Sequence, residues 1–268
     1  MSGRCNRRAM LALATVLLVG AGGPASAQGA WPDIKSSLFG ERELLDAKGV
    51  IRLIAPERAA DAATVPITIE AELAQTPERW IKTVHLVIDE NPAPVAAVFH
   101  LSREAGRASL ATRVRVNAYT KVHAIAETSD GKLYVAERFV KAAGGCSAPG
   151  MKDKDEVMAR LGKMKLKTVT PFIPGELMTV QLLVSHPQYT GMQMDQLTRN
   201  WIPPDYIQTF QVRFGDTPIL NVVGDISLSE DPAITFSFVP TQPAALAVEV
   251  ADTERRRFQQ SWNLGPAS

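Results

Sequence analysis

Apolar and polar positions alternate with a period of two along much of this chain, which is the signature of half-buried strands. Ile67, Ile69, Ala71 and Leu73 fall on one face, with Thr68, Glu70 and Glu72 on the other; Ala108, Leu110, Val114 and Val116 likewise oppose Ser109, Arg113 and Arg115. Seven strand-like runs follow one another at 50–54, 65–73, 81–89, 94–100, 107–116, 120–128 and 132–140. Turn signals such as Glu90-Asn91-Pro92 and Ser129-Asp130-Gly131 separate them. A second series occupies 164–170, 176–185, 207–214, 217–223, 234–239 and 245–251, where Phe210, Val212 and Phe214 alternate with Thr209, Gln211 and Arg213 and Gly215-Asp216 suits a hairpin turn. Residues 187–204 are too polar and proline-broken for a strand and are expected to form a long loop. Helical signals are few. Pro32 can open a short helix over 33–39 that Gly40 ends, 41–48 adds another turn, and the charged stretch 153–162 suits a short helix. Short strands at this spacing predict an all-β chain of two immunoglobulin-like β-sandwich domains.

Between the two series lies the stretch from Val140 to Gly150, and it carries Cys146. The expected division is 1–27, 28–141, a cysteine-bearing arm and linker at 142–162, and 163–268. The first segment has the form of a secretory signal: Arg4, Arg7 and Arg8 precede a mostly apolar run from Ala9 to Gly20, and Ala25-Ser26-Ala27 is an A-x-A-type cleavage site. The apolar run is short for a membrane span. Arg7-Arg8 leaves twin-arginine export open beside the general route. The expected address is a bacterial periplasm.

Composition narrows the partners. The chain has 268 residues, 46% of them apolar, with 29 basic against 28 acidic side chains. No basic patch for nucleic acid, polyacidic tail or further membrane segment is evident, so neither nucleic acid nor a membrane is an expected partner. Removal of residues 1–27 takes away three arginines, no acids and Cys5, leaving Cys146 as the one cysteine. An unpaired cysteine is unusual in an oxidising compartment.

Its neighbours suggest a use. Gly144 and Gly145 lack side chains and Ala142, Ala143, Ser147 and Ala148 are small, so 142–150, with Gly150 at its end, reads as a flexible arm. From Val140, six extended residues reach at most about 20 Å. Lys141 and Lys152 favour the reactive thiolate, while Asp153, Asp155 and Glu156 oppose it. Three other readings compete: an idle or dimerising linker cysteine, a thiol-dependent enzyme, and a pure assembly module. The enzyme needs a histidine base. His85, His100 and His123 fall inside strand runs, whereas His186 ends one in Ser185-His186-Pro187 and is a possible accessory to the thiol. No metal-ligand spacing and no glycine-rich phosphate loop occurs, so no metal or cofactor is expected.

The order of several short stretches also resembles a known pair of families. Val50-Ile51-Arg52-Leu53-Ile54-Ala55-Pro56, Thr64-Val65-Pro66-Ile67, Val98-Phe99-His100 and Val140 through Cys146 are similar to SoxY, the sulfur-carrying subunit of the bacterial periplasmic thiosulfate-oxidation system. Pro174-Gly175-Glu176, Val184-Ser185-His186-Pro187 with Thr190-Gly191, Ile202-Pro203 leading into Phe210-Gln211-Val212, and Ile226-Ser227 running to Ser237-Phe238 are similar to its partner SoxZ. The resemblance implies immunoglobulin-like folds and a non-enzymatic carrier with Cys146 as the covalent attachment point for sulfur species. It also implies docking to Sox-type periplasmic enzymes. Two features depart from the family pattern, in which the cysteine sits in a free C-terminal Gly-Gly-Cys-Gly-Gly tail. Here the tail reads Gly-Gly-Cys-Ser-Ala-Pro-Gly and continues into the second half, and the two subunits are fused. That arrangement resembles the fusion carriers found beside quinoprotein dehydrogenases, a setting in which the cargo need not be thiosulfate.

Overall fold

The computed structural model describes residues 30–149 and 154–266. Helix α1 (Trp31–Phe39) has Pro32 in its first turn and ends at Gly40, whose φ of 59° suits a residue without a Cβ. Then come β1 (Leu44–Asp46), β2 (Ile51–Ile54), β3 (Val65–Ala71), β4 (Ile81–Ile88), β5 (Val95–Leu101), β6 (Leu110–Val114), β7 (Thr120–Thr128) and β8 (Leu133–Val140). A short helix, α2 (Lys154–Ala159), leads into β9 (Met164–Thr168), β10 (Met178–Val184), β11 (Ile207–Phe214), β12 (Thr217–Gly224), β13 (Ala233–Phe238), β14 (Ala244–Asp252) and β15 (Arg257–Leu264). The alternation read from sequence is visible in burial. Ile67, Ile69, Leu110, Val114, Phe210 and Val212 all face the core.

The all-β sandwich architecture is as expected; the junction between the halves is not. Among the described residues the strands form two sheets, and each sheet runs through both halves. The nine-stranded sheet has the order β1-β8-β7-β4-β5-β12-β11-β14-β15, and the six-stranded sheet β2-β3-β6-β13-β10-β9. The seam in the larger sheet is the antiparallel pair β5–β12, with Phe99 opposite Val222 and Leu101 opposite Leu220. In the smaller sheet it is β6–β13, where Ala111 faces Thr235. One apolar cluster therefore spans both halves, from Ile67, Ile69 and Phe99 to Val180, Phe210 and Phe236. The halves are two sandwiches placed edge to edge, and pairing hides strand edges that would otherwise be bare.

Two strands were not foreseen. Residues 41–48, read as a helical turn, contain β1, which pairs in parallel with β8. Among the described residues β15 pairs only with β14, at the sheet's margin, and its mostly exposed polar side chains give no clean alternation. Loop 187–204 is long, as expected, with isolated bridges between Tyr189 and Asp205 and between Met194 and Trp201.

Candidate functional site

Cys146 is the one cysteine among the described residues and forms no disulfide. Its side chain is fully buried, at 0% exposure. This corrects the expectation of a free arm. The segment lies along the molecular surface, with Gly144 and Ser147 exposed and the thiol turned inward.

Both halves hold it there. From the first half, the N–H of Gly144 donates to the Asn117 carbonyl (2.9 Å) and that of Gly145 to the Val116 carbonyl (3.0 Å). Asn91, buried in its turn, fixes this receiving edge: its amide donates to the Arg115 carbonyl (2.7 Å) and accepts from the Asn117 N–H (2.8 Å). From the second half, Thr190 Oγ1 donates to the Cys146 carbonyl (2.6 Å) and Gln193 Nε2 to the Ala148 carbonyl (2.9 Å). Ser147 Oγ closes the turn onto the Gly144 carbonyl (3.3 Å).

The glycines are thus needed for conformation and close approach. Gly144 has φ 78°, a left-handed value. A Cβ on Gly145 would collide with the carbonyls of Ala62 and Val116, the latter only 2.7 Å away. Of the other arm residues, Ser147 belongs to the docked turn, and Gly150, like Lys152 and Asp153, lies outside the described residues.

Arg115 is the largest surprise. Alternation assigned it to the polar face of its strand, yet it is 1% exposed, because the cysteine segment and the loop after β10 cover it. Its Nη1 donates to the Gly145 carbonyl (3.2 Å) and its Nη2 to the Gln188 carbonyl (3.4 Å). Burial pushes the Cys146 thiol up to about 11, with the Arg115 charge pulling the other way. At neutral pH the docked sulfur is therefore a protonated thiol, sheltered and a weak nucleophile. Lys141, expected to favour the thiolate, instead pairs with Glu57 at 2.6 Å.

His186 is buried and serves as a support for the loop. Its Nδ1 accepts from the Gln188 N–H (3.2 Å), while Nε2 faces Asp252 Oδ2 (3.4 Å) and Asp205 Oδ1 (3.6 Å). Burial lowers its pKa, against the pull of the two aspartates. Its ring partners do not include Cys146, so the histidine and the thiol are not brought together as base and nucleophile. His186, Asp205 and Asp252 do place possible metal-ligating atoms within 4.8 Å of one another. Sequence spacing gave no sign of that grouping. Arg256 already serves both carboxylates, donating to Asp252 Oδ2 at 2.6 Å and pairing closely with Asp205. Two of the other histidines have structural surroundings: Trp31 stacks on His123 with centroids 3.8 Å apart, and burial takes His85 down to about 4.

Comparison with known proteins follows the same division. Residues 35–146 match the family Sulfur oxidation protein SoxY, a match that ends on Cys146 itself, and residues 171–263 match Sulphur oxidation protein SoxZ. The chain is a SoxY–SoxZ fusion. In these terms the SoxY unit ends in the Gly-Gly-Cys segment, and the SoxZ unit supplies the loop that clasps it. No curated protein sequence matches the chain. Among solved structures, a superoxide reductase (neelaredoxin) from Ignicoccus hospitalis is 11% identical with a TM-score of 0.29, over 43% of this chain and 89% of that one. A β-glycosidase from Bacteroides vulgatus is also 11% identical, with a TM-score of 0.24 over 80% of this chain and 24% of that one. Likeness this slight carries no argument about either fold or activity.

Proposed function

We propose that this SoxY–SoxZ fusion is a non-enzymatic periplasmic carrier that holds sulfur intermediates covalently on Cys146 and presents them to partner enzymes. The observation that carries the reading is the position of Cys146. It is an unpaired thiol at the end of the SoxY match, on a short surface segment held by side chains of the SoxZ unit. Loading with thiosulfate joins the two sulfurs: Cys–SH and S₂O₃²⁻ give Cys–S–S–SO₃⁻, one proton and two electrons, and a partner oxidoreductase takes the electrons. A 0%-exposed thiol cannot meet such a partner where it lies. The carrier therefore works by undocking. Breaking a handful of hydrogen bonds, each worth about 0.5–1.5 kcal/mol net, frees the segment while both sheets stay intact.

Intact mass of the exported protein tests this. Sulfur or sulfonate additions are expected on Cys146 and are expected to vanish in Cys146→Ser, together with pathway activity. A fully active Cys146→Ser protein would overturn the carrier role. The fused layout supports the quinoprotein-associated type, and the mass of the native adduct tells thiosulfate from another cargo.

A further inference from the structure

Arg115 is a buried cation without a matching buried anion. Its hydrogen bonds go to two neutral carbonyls, of Gly145 and Gln188, and its Nε has no partner. Among the described residues no carboxylate forms an ion pair with it, and a negative charge on Cys146 would act on it more strongly than Glu230 and Asp61 do. Gln188 is fully buried beside it, held by its Oε1, which accepts from the Ile207 N–H (2.7 Å), while its amide nitrogen is unpartnered. A guanidinium withdrawn from water whose hydrogen bonds go only to carbonyls is costly, and unused buried donors add to the cost. In the empty carrier the docked thiol is neutral, and that charge has only the weaker pull of Glu230 and Asp61. A persulfide or a thiosulfonate on the same sulfur is an anion at neutral pH.

We propose that Arg115, with Gln188 next to it, is a seat for the anionic sulfur group carried on Cys146, so that the loaded segment is held more firmly than the empty one. This rests on the carrier reading and adds a direction to it. Loading shifts the docked–undocked equilibrium towards docking, because the anion interacts differently with the two states. The adduct is then stored away from water and stray thiols until a partner competes for it. After discharge the segment is held less firmly and undocks more readily for reloading.

The test uses purified protein carrying residues 28–268 and two adducts of similar length. Tetrathionate converts Cys–SH to Cys–S–S–SO₃⁻, releasing thiosulfate and a proton; hydroxyethyl disulfide gives the neutral Cys–S–S–CH₂CH₂OH, releasing mercaptoethanol. Thermal unfolding and amide exchange of the peptide covering 142–149 are read for both. The anionic adduct is expected to unfold roughly 2–4 °C higher than the neutral one, and to slow exchange in that peptide. Arg115→Gln should abolish both differences and Arg115→Lys should keep their sign. Equal behaviour of the two adducts in the unsubstituted protein overturns the seat, without needing any variant to fold. A difference that persists in Arg115→Gln overturns it as well. Neither outcome touches the carrier reading, which stands or falls on native adducts and on Cys146→Ser.

Discussion

The reactivity of Cys146 is set by where its sulfur lies. With the thiol raised from 9.0 to about 11 by burial, the docked form holds its proton over a range where the unfolded chain has lost it. Stability from this group is intact below pH 9 and falls as pH rises towards 11, by up to about 2–3 kcal/mol. Urea unfolding at pH 8 and pH 10, compared between the unsubstituted protein and Cys146→Ser, should show a steeper loss in the former. The glycines give a second expectation at this scale. Gly144→Ala puts a Cβ on a residue with φ 78°, costing about 1 kcal/mol, while Gly145→Ala drives one into two carbonyls and should expel the segment. Iodoacetamide labelling of Cys146 near neutral pH should accelerate modestly in the first and strongly in the second.

At the scale of elements, the clasp is the loop between β10 and β11, and Thr190 is its most direct contact. Thr190→Val keeps the shape but strips the donor from the Cys146 carbonyl and the acceptor from the Met192 N–H (3.1 Å). A loss of about 1.4 kcal/mol in docking corresponds to a tenfold faster labelling rate. An unchanged rate would mean that the clasp does not control access. Strands were the legible part of this fold, since alternation reports which side chains face a core. The site was only partly legible. Gly144 and Gly145 look the same in sequence whether they loosen a tether or allow close packing; the difference lies in φ and in the carbonyls of Ala62 and Val116. Arg115 obeys the alternation that assigned it outward, and only the later arrival of residues 144–146 and 188 turns that face inward. His186 sits at a strand end as expected, but its partners Asp205, Asp252 and Arg256 come from distant sequence.

For the whole molecule, continuous sheets and a common core make the halves mutually dependent. Tryptophan fluorescence and far-ultraviolet circular dichroism should follow a single urea transition, whereas independent sandwiches would give two. Residues 30–149 and 154–266 produced as separate chains would each expose a seam strand, β5 or β12, and are expected to aggregate alone and to recombine when mixed. Val222→Pro places a ring and a missing donor inside the larger sheet beside Phe99, and should cost about 3 kcal/mol or more in the same assay.

Because Asn117 and Val116 grip the cysteine from one side and Thr190 and Gln193 from the other, concealment of the sulfur needs both halves in place. A molecule whose second half is still unstructured keeps its nucleophile in the open, exposed to any electrophile it meets. Burial of the sulfur therefore reports completion: only a molecule with both halves folded hides it.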